Sequence, residues 1–180
     1  MRRLVVLLAF CGLAALAVLP GCGYYSFSGA SVPEGVSTVA IPPVENGAAL
    51  PITTLPAELT RLLVDRFTQR TRLRLDDNAE TADAVLEARI ESYRTEPTSV
   101  TATDLAARNR LTIGLRVTFR RRISAEGGVP EGTAPIVDRS FSAFADYDPG
   151  GLPAEREAEA ARSVLVSLAD DVFTAATSNW

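Results

Sequence analysis

Residues 110–123 read RLTIGLRVTFRRRI. Leu111, Ile113, Leu115, Val117 and Phe119 fall on one side of an extended chain. Arg110, Thr112, Arg116, Thr118, Arg120 and Arg122 fall on the other. A period of two is that of a strand with one face in a core and one facing water. An apolar row of this length must be covered, so the rest of the chain has to supply the cover.

Working outward, residues 84–94 repeat the pattern. Ala84, Leu86, Ala88 and Ile90 point one way, and Val85, Glu87, Arg89, Glu91 and Tyr93 the other. Residues 96–108, with Pro97 and several threonines, read as a polar loop. A Gly-Gly and Pro-rich connection, 126–135, leads to a further strand at 136–147. Its alternation is poorer, which predicts a bulge or an edge position. Val36–Ile41 is β-branched and bounded by Gly35 and Pro42-Pro43, so it reads as a short strand. Residues 42–51, with Asn46-Gly47 inside, read as a loop, and Arg72–Leu75 as a very short strand.

Two segments have helical spacing. Thr54 is placed to cap the first, with Pro56 in its opening turn, where a missing N–H costs little. Leu55, Leu59, Leu62, Leu63 and Phe67 share a face, and the pattern ends near Arg70 or Thr71. The second begins near Pro153 after Pro149-Gly150-Gly151. Glu155, Glu157 and Glu159 complement its positive N-terminal end. Ala158, Ala161, Leu165, Leu168, Val172 and Ala176 carry a stripe that Phe173 widens. Together the elements predict an α+β two-layer sandwich. Two amphipathic helices cover one face of a mixed, mostly antiparallel sheet of about four strands.

The N-terminus has a different logic. Arg2 and Arg3 precede a nearly unbroken apolar run, Leu4 to Leu19, followed by Pro20-Gly21-Cys22. A basic start, a short apolar stretch and a small residue before the cut describe a secretory signal peptide. The run is shorter than the roughly 18–20 residues of a spanning helix. A cysteine directly after the small residue matches the lipobox, in which the thiol receives diacylglycerol and the freed amine an acyl chain. The expected organisation is a cleaved signal peptide over 1–21, a lipidated linker over 22–35 and one domain over 36–180. Each buried CH₂ contributes about 0.8 kcal/mol, so two or three acyl chains anchor a protein firmly. Gly23, rather than an aspartate, follows the cysteine and points to the outer membrane. Tyr24, Tyr25 and Phe27 lie next to the lipid. They suit a membrane interface, a partner protein, or docking onto the chain's own domain.

Composition narrows the function classes. The formal net charge is −4, and loss of Arg2 and Arg3 makes it more negative, which argues against a nucleic-acid binder. There is no histidine, which removes His-dependent triads and the commonest general base. Every basic residue is arginine, so Ser-Lys chemistry is closed as well. The two cysteines are Cys11 and Cys22, leaving no free thiol once the signal peptide is cut and Cys22 is lipidated. Asp146, Asp148, Asp170 and Asp171 follow no metal-ligand spacing. The reading is therefore non-enzymatic, with no catalytic or metal site and no cofactor beyond the lipid on Cys22. The chemistry candidate is the row Arg110, Arg116, Arg120 and Arg122 on one strand face. Guanidinium groups there can bind phosphate, pair with Glu87 and Glu91 on a solvated face, or meet a partner's surface.

Four blocks carry a resemblance. They are residues 23–31, GYYSFSGAS; residues 109–113, NRLTI; residues 140–147, SFSAFADY; and residues 171–180, DVFTAATSNW. In this order, behind a lipobox, they resemble the lipopolysaccharide-assembly lipoprotein family LptE, in a divergent branch. The resemblance implies two helices against a mixed sheet. It also implies a plug and folding partner of the outer-membrane barrel LptD that binds lipopolysaccharide during delivery to the outer leaflet. It assigns no residue-level contacts. The competing expectation is a structural or adaptor envelope lipoprotein that binds another protein and no lipopolysaccharide.

The lipobox makes a direct prediction. In cells lacking the barrel partner, Cys22→Ala should move the protein from the membrane to the soluble envelope fraction. Full membrane retention of that variant would rule out anchoring through Cys22.

Overall fold

The structure is a computed structural model describing residues 35–49, 51–99, 108–123 and 132–178. Its elements are β1 (Thr38–Ala40), β2 (Glu45–Asn46), α1 (Leu55–Arg70), β3 (Arg74–Leu75), β4 (Ala84–Ser99), β5 (Arg108–Ile123), β6 (Gly132–Tyr147) and α2 (Pro153–Thr177). The sheet runs β3-β1-β4-β5-β6, with β2 also paired to β4. The three long strands form an antiparallel meander, while β1, β2 and β3 pair in parallel. Parallel neighbours need a crossover, and α1 supplies it between β1 and β3.

The α+β class and the two-helix layer are as expected, but the sheet has six strands rather than about four. The additions are short. Residues 42–51 contain β2 as well as the expected loop, and Gly47 N donates to Ile90 O at 2.8 Å just beyond it. The expected loop over 96–108 is shorter as well. β4 carries Pro97 to Ser99, and β5 begins at Arg108. β4 is an edge over that stretch, and an edge strand tolerates proline because no outer ladder needs its N–H.

β5 is central, and its alternating row is fully buried: Leu111, Ile113, Leu115 and Val117 are 0 % exposed and Phe119 2 %. α2 lies over β5 and β6, with α1 beside it. Leu55, Leu59, Leu63 and Phe67 of α1 are buried, whereas Leu62 sits at the margin. Phe67 meets Phe119 and Phe173 edge-on, with ring centroids 5.7 and 5.4 Å apart, so one ring joins the sheet to both helices. Outside the core, Asp170 of α2 accepts from Arg66 at 2.7 and 3.2 Å and from Arg70 at 2.9 Å, both on α1. The Arg66 bond first, then the two positive charges, holds the Asp170 carboxyl below the usual carboxylate range despite partial burial. Thr54 occupies the N-cap position without a capping side-chain bond. Its backbone is already helical there (φ −85°, ψ −12°), unlike the extended backbone usual at an N-cap.

Two of the three register shifts among the described strands set which side chains face which layer. The β4–β5 register shifts between Ile90 and Ser92, skipping Glu91. A single extra residue inverts every later side chain. Tyr93, expected on the open face, therefore turns to the helix side opposite Ile113. Its hydroxyl donates to Glu157 of α2 at 2.7 Å, and Tyr147 donates to the same carboxylate at 3.4 Å. Burial, then the Glu157 bond, pushes the Tyr93 hydroxyl well above its ordinary value. Gly114 is opposite Ser92, and a Cβ there would fall 2.5 Å from Ser92 Oγ, so glycine makes room at the shift. The second shift lies between Phe119 and Arg120 of β5, where β6 steps from Val137 to Pro135. The poor alternation of β6 thus has both expected causes, since β6 is also the edge.

At the start of the domain, Asp83 accepts from Ser37 N at 2.8 Å, Thr38 N at 2.9 Å and Thr38 Oγ1 at 3.0 Å. This ties β1 to the turn before β4. Burial alone would raise the Asp83 carboxyl; these bonds and the charge of Arg122 outweigh it and lower it.

Leu165 and Leu168 of α2 are 0 % exposed. Leu165→Asp or Leu168→Asp should each cost several kcal/mol, because a buried unpaired carboxylate has no compensating partner. Chemical denaturation should show a sharply lower midpoint. An unchanged midpoint would mean that this helix face does not bear on the sheet.

Candidate functional site: the open face of the sheet

The helices occupy one face, which leaves the other to the polar residues of β4, β5 and β6. Arg110, Arg116, Arg120 and Arg122 do share this face, as the spacing of β5 predicts. Three of them are paired to carboxylates. Arg110 donates from Nε and Nη2 to Asp146 at 2.7 and 2.9 Å, a bidentate fork. Its guanidinium also lies 4.1 Å from the ring centroid of Phe144, which is 58 % exposed. Arg116 Nη2 donates to Asp138 Oδ1 at 2.6 Å. Arg120 pairs with Glu87 across the β4–β5 ladder. Arg122 instead donates to the carbonyls of Ala82 and Ala79, both at 3.2 Å.

The arginine stripe is therefore a cross-strand network. Glu87 is a partner, as the sequence suggests, but Glu91 at the bulge accepts from Ser140 Oγ at 3.4 Å. Asp138 and Asp146 of β6 were not anticipated as partners. The signal was present in the spacing Asp138, Ser140, Ser142, Phe144, Asp146, all on the open face once β6 is registered against β5. Exposed pairs of this kind add little stability, so their effect is mainly to fix where guanidinium groups point. A recess of about 280 Å³ beside Arg120 and Arg122 is walled by Ala79, Glu80 and Thr133. Arg89 also faces this side, directly opposite Arg116.

Other candidates separate cleanly. Asp146 belongs to the Arg110 fork, Asp170 to the interhelical cluster, and Asp148 Oδ1 accepts from Gly150 N at 2.8 Å. Among the described residues no group of three or more Asp, Glu, His or Cys is placed to hold a metal ion. No helix among them is long and apolar enough to cross a membrane. Cys22, Tyr24, Tyr25, Phe27 and Trp180 lie outside the described residues.

This geometry defines a class: an α+β sandwich with one sheet face closed by two helices and the other open and charged. The fold is similar to that of the hypothetical protein CT253 from Chlamydia trachomatis. That match has a TM-score of 0.52 and 14% identity, and covers 80% of this chain and 99% of that one. It is similar also to protein XCC0632 from Xanthomonas campestris, with TM-score 0.50, 12% identity and coverage of 79% and 85%. The rare lipoprotein B from Shewanella oneidensis matches with TM-score 0.48, 19% identity and coverage of 79% and 95%. No curated protein matches the sequence. The model of the lipopolysaccharide-assembly family LptE matches residues 36–176, and the chain belongs to that family. It is accordingly a lipopolysaccharide-assembly lipoprotein of the cell envelope.

The fork at Arg110 can be checked by titration. The bond from Arg110, foremost, and its charge hold the Asp146 carboxyl below the usual carboxylate range. A depressed folded pKa means that the pair stabilises the fold above the unfolded carboxylate pKa and loses that effect as pH falls through the folded one. Carboxyl-carbon NMR should show Asp146 titrating at lower pH than a free aspartate. Arg110→Gln should move that midpoint upward. An identical midpoint in both proteins would show that the fork does not persist in solution.

Proposed function

We propose that this protein is the plug and folding partner of an LptD-like outer-membrane β-barrel and binds lipopolysaccharide on its way to the outer leaflet. In this reading it is held on the periplasmic side of the outer membrane by diacyl and N-acyl chains on Cys22. It performs no chemistry of its own. The family match over residues 36–176 carries the proposal. The division of the sheet supports it. A closed helical face keeps the domain folded, and a polar face is left for a partner and a ligand. Arg110, Arg116, Arg120 and Arg122 offer fixed donors for phosphate oxygens, the first three at the expense of their present carboxylate partners and Arg122 at the expense of its bonds to the Ala79 and Ala82 carbonyls.

That last point also favours a second reading. Because three of the four arginines are paired within the sheet, the face can meet a protein wall with little uncompensated charge. The protein would then be an adaptor that binds the barrel and not the glycolipid.

Detergent extraction of the native lipoprotein through a C-terminal tag distinguishes the readings. The first predicts co-purification of a large β-barrel protein at equal stoichiometry, together with lipopolysaccharide. A barrel without glycolipid would establish the adaptor reading. Recovery of neither would defeat both.

A further inference from the structure

Arg89 of β4 is the cation on the open face whose charge the sheet leaves unanswered opposite a second arginine. It is the direct cross-strand partner of Arg116. Like charges placed opposite one another are destabilising. Arg116 is met by Asp138 on its far side, Arg120 by Glu87 and Arg110 by Asp146. Among the described residues, no carboxylate lies within ion-pair distance of Arg89. Glu45 is its register partner across β2, yet the two side chains are not joined. The backbone of Gly47 lies beside the guanidinium. A Cβ on Gly47 would fall 2.4 Å from Arg89 Nε and 3.1 Å from Nη2, so the bare glycine lets the chain lie against the group. Gly47 is itself fixed by its bond to Ile90 O.

Arg89 and Arg116 open into one recess of about 310 Å³, walled by Pro42 and Pro43, with Glu45 and Glu87 also lining it. Glu87 is committed to Arg120. Glu45 is exposed and stays free to compete with an incoming anion.

We propose that Arg89 and Arg116 form a binding site for a phosphate group, with Glu45 as a competing carboxylate beside it. Two planar forks on adjacent strands suit the several acceptor oxygens of a phosphate better than a single carboxylate. A bound phosphate removes the repulsion across the ladder, and Asp138 keeps part of the Arg116 charge, so binding is reversible. That the phosphate belongs to a glycolipid headgroup rests on the function proposed above. The oxyanion chemistry does not.

The test uses the full chain in neutral detergent, titrated with inorganic pyrophosphate, lipid A and dephosphorylated lipid A. Arginine Nε–H NMR and calorimetry provide the readouts. Pyrophosphate and lipid A should shift the Arg89 resonance, and dephosphorylated lipid A should not. Arg89→Gln should weaken both by about tenfold, the scale of one charge-assisted contact. Glu45→Gln should tighten both severalfold, and Arg61→Gln, on the solvent side of α1 where it pairs with Asp65, should leave them unchanged. Higher salt should weaken binding. A response to pyrophosphate with none to lipid A supports the phosphate site and removes the glycolipid reading from it. A silent Arg89 resonance with every probe overturns the proposal. So does equal weakening by Arg89→Gln and Arg61→Gln, which would reduce the effect to diffuse surface charge.

Discussion

Phe67 is buried edge-on between Phe119 of the sheet and Phe173 of the terminal helix. Fully burying a side chain of this size contributes about 1.5–3 kcal/mol, and favourable ring geometry adds to it. The contact exists because β5 keeps strict alternation over its length and sits at the centre of the sheet, hydrogen-bonded on both sides. Its apolar row is too long for one helix at a single point, so α1 and α2 lie side by side on it. Asp170 joins them where they meet solvent. The orientation of both helices, and through Glu157 the position of the first turns of α2, follows from that one covered face.

Covering one face commits the other. Every polar residue that β5 spends on alternation has to emerge on the open side, where it meets those of β4 and β6. The outcome is a surface organised by pairs rather than by net charge. Such pairs add little stability in water, but each holds a long side chain in one direction. Arginines with fixed directions lose less freedom on binding a second partner than arginines left to wander. The structure thus trades free positive charge for order at Arg110, Arg116 and Arg120, but not at Arg89. There the backbone of Gly47 lies beside the guanidinium, and among the described residues no carboxylate pairs with it.

The bulges show how a strand can serve two layers. Before Glu91, β4 supplies Val85, Glu87 and Arg89 to the open face; after it, Tyr93 belongs to the helical layer. One inserted residue moves a phenol from solvent to a carboxylate on α2. At the other edge, the shift near Pro135 removes a ladder donor from β6, and edge strands commonly use such devices against unwanted pairing.

Periodicity in the sequence determined both helices, the three long strands and the identity of nearly every buried residue, because burial of an apolar row requires only local spacing. It also placed Arg110, Arg116, Arg120 and Arg122 on one face. Whether those arginines are free or paired was beyond it. Pairing depends on register between strands distant in sequence, and the register depends on a shift at Glu91 that has no local signature and one at Ile136 that the poor alternation of β6 signals without locating. The two-residue strands β2 and β3 were hard to read for a related reason. They exist through hydrogen bonds that neighbouring strands offer, not through any pattern of their own. The opposition of Arg89 to Arg116, and the backbone of Gly47 beside it, arise only when β2, β4 and β5 come together. That tertiary contact sets Arg89 against Arg116 with no carboxylate of its own among the described residues.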